Sequence, residues 1–344
     1  INFENESIVG SISLKGGVID DLTFKQYNVS LDSQEKVTLL SPRNSKDGYL
    51  IESGFITSDK NVEIPNSSSI WKVSGNNKLT DQSPIKISWT NDQGITFEKE
   101  IALDDKYLFS IKQSVINPTD KKYDFYTYGQ IIRNEMPDIS NFYILHEGLV
   151  ATLDDELIEE DYDDIQEKKF SRTAQKGWLG IGDKYWVTSL IPPREKEFKT
   201  TFDYKDKFRA NFVSTEPLEL NENSLIEETL QIIVAAKRVD VIDGYAESLN
   251  IDKFDLTIDW GFLYFITKPL FFGIDYFFKL LGNYGLAIIA ITICIRLAFF
   301  PLANFSFRSM AKMKALQPEM ARLKELHKDD KMKLQQAMMA LYKK

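Results

Sequence analysis

Cysteine is almost missing: Cys294 stands alone among 344 residues, so no intrachain disulfide staples the fold. Its place inside an apolar run makes the thiol a small hydrophobe. Histidine is scarce as well. His146 is the only histidine ahead of the apolar segments, and its neighbour Glu147 makes an acid–base pair only in a geometry that spacing does not supply. No metal is expected: the eight carboxylates between 154 and 164 come without a basic residue and without the glycine that a calcium loop needs at its sharp turn, so they read as a solvated loop. No nucleotide cofactor is expected either, because Gly177, Gly180 and Gly182 have the wrong spacing and Tyr185-Trp186-Val187 continues as strand; these are read as turn glycines. At Ile1 there is neither an initiator Met nor a charged-then-apolar leader, so an N-terminal signal or anchor is expected upstream.

The chain is instead rich in aromatic residues (12%) and divided in charge. Residues 1–258 carry 29 Lys+Arg against 45 Asp+Glu, a net of −16, and residues 259–344 carry 13 against 6, a net of +7. Asymmetry of this kind reports two environments. Residues 1–235 read as strands. Ile85, Ile87 and Trp89 alternate with polar neighbours, Asn91-Asp92-Gln93-Gly94 turns, Ile95 and Phe97 resume, and Tyr107, Phe109, Ile111 and Val115 repeat the period of two. Many short strands with one apolar face predict an all-β sandwich. A helix is predicted over about 239–249, after which 252–259 leads to a membrane.

Two apolar segments follow, and they differ. The stretch 260–281 contains Lys268, Asp275 and Lys279, which fall within about 20° of one line on a helix. One narrow polar stripe on an aromatic cylinder, with Trp260, Tyr264 and Tyr276 suited to headgroups, predicts an amphipathic helix in the outer interface. A transmembrane helix kinked at Pro269 is the alternative. The stretch 284–304 is long enough to span, and Arg296 is its only charge. An arginine at that depth is costly on a lipid face and tolerable against water, protein or a partner. Thr292 and Gly285 share its face. Snorkelling to the cytoplasmic headgroups competes with this, but helical side chains lean toward the N-terminus, here the outer side.

Residues 305–344 hold ten Lys+Arg against four Asp+Glu, which puts that end in the cytoplasm and the acidic β domain outside. Met313, Leu316, Met320 and Leu323 recur with heptad-like spacing, Lys328-Asp329-Asp330 offers an N-cap, and Leu334, Met338 and Leu341 restart the pattern, which predicts an antiparallel helical hairpin. Its methionines either fill the seam between the helices or form an adaptable surface for apolar segments. The organisation expected is therefore a β domain over 1–250, a linker and interfacial helix over 251–282, a transmembrane helix over 283–304 and a hairpin over 305–344.

The run GNYGLAIIAITICIRLAFFPLANFSFRSMAKMKALQPEMARLKEL from Gly282, continued by DDKMKLQQAMMALYKK, resembles the YidC membrane protein insertases, and so do Asp255 to Gly261, Lys268-Pro269-Leu270 and, more loosely, Gly177-Trp178. The resemblance implies a periplasmic β-supersandwich similar to mutarotase-like folds, in the inner membrane of a bacterium, with no enzymatic activity and no cofactor. It implies that Arg296 and Thr292 line a client-binding groove whose positive charge attracts acidic client tails. It implies that Met310, Met313, Met320, Met338 and Met339 of the hairpin meet clients or the ribosome. Nascent membrane proteins, the Sec translocon with its accessory subunits, the ribosome, the targeting machinery and lipid are the implied partners, and further core helices are expected to complete the groove. Two other classes compete. A membrane-tethered periplasmic carbohydrate-binding module would use the aromatics of the sandwich, although Trp71, Trp89 and Trp178 suit a core. A scaffold role would use the helix at 239–249 to touch translocon subunits.

Overall fold

The computed structural model describes residues 1–137, 146–261, 263–326 and 331–342. The chain divides into two compact units, Ile1–Asp259 and Trp260–Lys344.

The first unit is built from the alternation already visible in its sequence. Strands Ile85–Thr90, Thr96–Leu103 and Leu108–Asn117 are consecutive and antiparallel. Their inward positions bury Ile85, Ile87, Phe97, Ile101, Leu103, Phe109, Ile111 and Val115. The first turn is held by Asn91, whose Oδ1 accepts from the amides of Gln93 (3.0 Å) and Ile95 (2.9 Å). Gly94 supplies the positive φ, +84°, that this turn needs. In the second turn Asp104 Oδ1 accepts from the amides of Lys106 (2.9 Å) and Leu108 (2.8 Å).

These strands belong to a nine-stranded sheet ordered Glu156–Asp161, Gly148–Leu153, Gly177–Gly182, Trp186–Ile191, Ser224–Ala236, Leu108–Asn117, Thr96–Leu103, Ile85–Thr90, Lys72–Ser74. Opposite it lies an eleven-stranded sheet with the path Phe170–Ala174, Phe198–Tyr204, Phe208–Ser214, Tyr123–Arg133, Tyr49–Ile56, Val18–Asn28, Ile8–Ser13, Asn2–Glu4, Lys78–Leu79. Leu218–Leu220 and Lys36–Leu40 pair off this path. Among the described residues all strand pairs are antiparallel except Asn2–Glu4 with Lys78–Leu79. One apolar core joins the inner faces of both sheets, with Trp178, Phe3, Phe24, Phe109, Phe125 and Phe202 among its fully buried side chains.

The acidic run at 154–164 is not a loop. Asp154 (φ 49°) and Asp155 (φ 69°) form a two-residue hairpin turn, the geometry whose twist matches the flanking strands and which Asp tolerates. Glu156–Asp161 is then an edge strand, and Tyr162–Glu167 a short helix, α1, anchored by buried Tyr162 and Ile165. Gly177, Gly180 and Gly182 are likewise not turn glycines but members of one strand. A Cβ on Gly180 would meet the Thr188 carbonyl oxygen at 2.1 Å, so neighbouring backbone excludes any side chain there.

Helix α2, Val239–Ser248, lies where the sequence predicts it. Tyr245 fastens it to the Asp104 turn: its hydroxyl donates to Asp104 Oδ2 (2.7 Å) and accepts from the Tyr107 amide (2.8 Å). Phe254, in the 3₁₀ turn Phe254–Thr257, meets Trp178 edge-on at 5.4 Å and closes this end of the core. The second unit is helical, with α3 at Tyr264–Leu281, α4 at Tyr284–Leu326 and α5 at Lys331–Tyr342.

Candidate functional site

Helices α3 and α4 are joined by a two-residue corner that the sequence encodes directly. Gly282 takes the left-handed conformation, φ 66°, and its amide donates to the Phe278 carbonyl (2.8 Å), ending α3. Asn283 starts α4, its Oδ1 accepting from the Leu286 amide at 3.2 Å. The helices then close: Phe278 stacks on Tyr284 at 3.8 Å, Ala287 is fully buried, and a Cβ on Gly273 would meet Ile291 at 2.8 Å. Small residues at the crossing allow that approach.

Within the polar stripe of α3, one ion pair and two cation–ring contacts form. Asp275 and Lys279 pair at 2.7 Å, one turn apart, and Lys268 Nζ stands 5.6 Å above the Trp260 ring and 5.7 Å above that of Tyr264. The rest of α3 exposes Phe265, Ile266, Phe271, Phe272, Tyr276 and Leu280, and none of its residues is buried. A soluble helix seldom shows so much apolar surface.

Among the described residues one helix, α4, is long and apolar enough to cross a membrane, and its apolar stretch is almost wholly exposed. Arg296 stands in that stretch. It lies nine residues after Ala287, which is about 180° around the helix, so it occupies the face opposite the α3 contact. Its side chain is exposed and has no partner among the described residues. Thr292 and Gly285 lie within about 40° of it on the same face. The Thr292 hydroxyl donates back to the Ile288 carbonyl at 2.6 Å, so its proton is committed and what it offers outward is an acceptor. The surroundings are apolar and exposed: Ile289, Ile293, Leu297, Phe299 and Phe300.

No break separates the span from the hairpin. The 43 residues of α4 extend about 64 Å and pass through Pro301 and Pro318, so the first arm of the hairpin continues the apolar segment past the expected boundary at 304. No glycine, asparagine cap or strand signal stands between 305 and 326 to stop it. The seam with α5 holds half-buried Leu316, Met320, Leu323, Leu334 and Met338 and buried Leu341. Met310, Met313 and Met339 point away from it, at 51%, 56% and 57% exposure. The five methionines thus divide, two to the seam and three to the surface. A cleft of about 460 Å³ between the arms is lined by Arg322, Leu323, Leu326, Ala337, Ala340 and Leu341, with no methionine in its walls. The cap expected at Lys328-Asp329-Asp330 lies outside the described residues.

In the β unit the would-be pair His146 and Glu147 is spent on structure. The His146 amide donates to Asp259 Oδ2 (3.1 Å), its Nδ1 meets Asp161 Oδ1 (3.1 Å), and Glu147 Oε1 accepts from the Lys184 amide (2.7 Å). Nearby, burial lowers the Lys237 ammonium below its ordinary value, opposed by Asp183, Asp259, Glu147 and Glu159. Burial raises Glu159, against the pull of His146. Trp71 and Trp178 are core and Trp89 packs against it. Among the described residues no group of His, Cys, Asp and Glu could hold a metal ion. Sequence reasoning passed over Lys99 and Gln113, which occupy inward positions of the Thr96–Leu103 and Leu108–Asn117 strands and are 3% and 1% exposed. Their signal was a polar residue on the apolar beat of an alternating strand.

Residues 1–272 match the family described as the YidC periplasmic domain, and residues 276–344 that described as the 60Kd inner membrane protein. The membrane protein insertase YidC of Pelagibacter ubique is 74% identical over 344 residues, covering all of this chain and 62% of that protein. The Brucella melitensis membrane protein insertase YidC is 39% identical, over all of this chain and 58% of its own length. The chain spans about three-fifths of these relatives. A solved galactose mutarotase-like protein from Lactobacillus casei shares the fold of the β unit, with a TM-score of 0.51 at 10% identity over 68% of this chain and 99% of that one. With the periplasmic-domain profile matched over most of its length and the inner-membrane profile over the remainder, the chain belongs to the YidC family.

Proposed function

We propose that this chain is the periplasmic domain and first core transmembrane helix of an insertase that moves apolar segments of new proteins into the bacterial inner membrane. The observation that carries the reading is Arg296: a guanidinium exposed on the face of α4 turned away from α3, midway along the most apolar stretch of the chain. A cation there is costly in lipid, and the cost falls when the face meets water or an acidic partner. In this mechanism the charge holds the hydrophilic tail of a client in a wetted groove while the client's apolar segment slides into the bilayer. Partition of about 20 apolar residues supplies the drive, so neither a nucleotide nor a catalytic group is required.

The same reading gives the other parts their places. The acidic β domain is periplasmic, α3 lies in the outer interface with Lys268, Asp275 and Lys279 at headgroup depth, and the basic hairpin is cytoplasmic. Met310, Met313 and Met339, exposed on the hairpin, are the contacts for clients or the ribosome, and Met320 and Met338 hold its seam. The Sec translocon is the partner expected at the outside domain, through α2.

The test is charge reversal within the complete reading frame. Arg296→Glu is expected to lower insertion of clients with acidic tails by at least about tenfold, the cost of replacing one attraction by one repulsion in a poorly screened site. Arg296→Ala is expected to fall between it and the wild type. Equal insertion by all three at matched expression removes the groove mechanism.

A further inference from the structure

The hairpin that joins Val18–Asn28 to Lys36–Leu40 holds a leucine out in solvent. Its loop is closed by the Val29 amide on the Glu35 carbonyl (2.9 Å), the Ser33 amide on the Ser30 carbonyl (3.2 Å) and the Glu35 amide on Ser33 Oγ (3.0 Å). Leu31 is thereby fixed at a turn corner, fully exposed, with Val29 exposed beside it. Such corners favour Pro, Gly, Asn, Asp and Ser, and a leucine there contributes nothing to the fold.

The hairpin stands at the end of the sandwich where the chain leaves it. Phe24 stacks on Trp186 at 4.6 Å and Tyr27 meets the same indole edge-on at 5.1 Å, so the tip reaches past the start of the Trp186–Ile191 strand. The preceding residue, Tyr185, is exposed, with Lys184 Nζ 5.1 Å over its ring. Val37, Leu39, Tyr185 and exposed Met136 line one depression of about 420 Å³. The Lys184 amide is bonded to Glu147, and the amide of the adjacent His146 to Asp259, the last residue of the unit. Ile70 and Leu225 are comparably exposed but lie at the far end, Ile70 bridged to Lys15 beside the Gly16 turn and Leu225 paired with Ile116.

A single exposed apolar side chain needs no partner; Val29, Leu31, Met136 and Tyr185, brought from three segments to one end, share a neighbour. We propose that this end of the β unit rests on the outer leaflet of the membrane, with the turn at Leu31 dipping into the boundary between headgroups and acyl chains. The inference rests on the reading in which the β unit is periplasmic and α4 spans the bilayer. Chain continuity names the occupant: residues 260–263 are the whole connection from Asp259 to α3, and fully extended they reach at most about 18 Å. The lipid that receives α3 is therefore within reach of this end. The side chains suit that place. Leucine and valine supply apolar area, and a tyrosine with a lysine over its ring can bury the ring while the ammonium stays wet. Charge is not the drive, because Asp32 and Glu35 are exposed on the same hairpin as Lys36, so the contact is expected to survive high salt.

The experiment is fluorescence quenching of the full chain in nanodiscs of phosphatidylethanolamine and phosphatidylglycerol doped with a lipid bearing a nitroxide on its acyl chain. With Cys294→Ser as background, a bimane is placed at Leu31→Cys, Tyr185→Cys, Leu225→Cys or Phe299→Cys, one at a time. Strong quenching is expected at 299 and 31, weaker quenching at 185 and none at 225, at low and high salt alike. Because a label at 31 could itself seek lipid, the second arm keeps the label at 185 and adds Val29→Asp with Leu31→Asp. That variant is expected to lose most of the quenching at 185, since carboxylates at the tip are expelled from the bilayer. Quenching at 299 with none at 31 and 185 overturns the proposal and leaves the spanning helix standing; no quenching at 299 overturns both. Quenching at 185 that ignores the two aspartates, or that high salt abolishes, also overturns it. Position 31 left unquenched by lipid but shielded by added translocon assigns the tip to a protein partner and overturns it as well.

Discussion

The two units of the chain solve the burial of apolar surface in opposite ways. In Ile1–Asp259 the large side chains face one another across two sheets, and Trp178, Phe109 and Phe202 are wholly hidden. In Trp260–Lys344 the buried apolar residues are Ala287 and Leu341 among the described ones, while Phe265, Leu297, Phe299 and Phe300 are open. The first unit makes its own low-dielectric interior, and the second takes its interior from a bilayer. Charge follows the same division: a net of −16 over 1–258 against +7 over 259–344. The difference explains why a polar group reads differently in each. Inside the sandwich it is buried by protein and must be paired or neutral; on α4 it is buried only by whatever surrounds the helix.

The sharpest way to break this comparison is truncation of one aromatic in each unit. Trp178→Ala is expected to cost about 3–5 kcal/mol in chemical denaturation of the β unit, because it leaves a cavity among residues that cannot collapse onto it. Phe299→Ala, on an open face of α4, is expected to cost less than about 1 kcal/mol in nanodiscs, since lipid refills the space. Similar costs for the two would mean that α4 is packed against protein.

Lys99 sharpens the contrast from the polar side. Burial pulls its pKa down from 10.5 to about 7, with no carboxylate to oppose it. The unfolded chain keeps that proton up to the ordinary lysine range, whereas the folded chain releases it above about 7. The ammonium therefore costs stability in full below pH 7, and the cost fades as pH rises toward 10.5. Lys99→Met is expected to be more stable than the wild type by roughly 4 kcal/mol at neutral pH, with the gap closing by pH 10.5. A pH-independent gap would mean that the ammonium is solvated or paired. The smallest effect is expected at α3, where Asp275→Asn loses a solvent-exposed pair worth a few tenths of a kcal/mol, read as a slight loss of helicity in micelles.

Much of this was legible in the residues. Period-two alternation gave the strands around Asn91-Asp92-Gln93-Gly94, and the run from Tyr284 gave the spanning helix, because both patterns are local. The polar row was missed for a reason within the same pattern. Between Phe97 and Ile101, and between Ile111 and Val115, the inward beat falls on Lys99 and Gln113, which a count of apolar residues skips. Gly180 was misread because its need is set by the Thr188 backbone on the next strand, a contact that sequence distance hides. The Asp154–Asp155 hairpin was hidden by composition: eight carboxylates read as solvated loop, yet two of them tolerate positive φ and the rest sit on an edge strand and a short helix, where charge is welcome. In the helical unit, the corner at Gly282-Asn283 went unremarked although both residues carry ordinary capping chemistry.

The most direct test concerns the surroundings of position 296. With Cys294 replaced by serine and Arg296→Cys introduced in the complete reading frame, a membrane-impermeant maleimide reports which side's water reaches that face of α4. Labelling from the cell interior, with protection from the outside, is the result the groove requires. Failure to label from the interior, or labelling from the outer side alone, contradicts it.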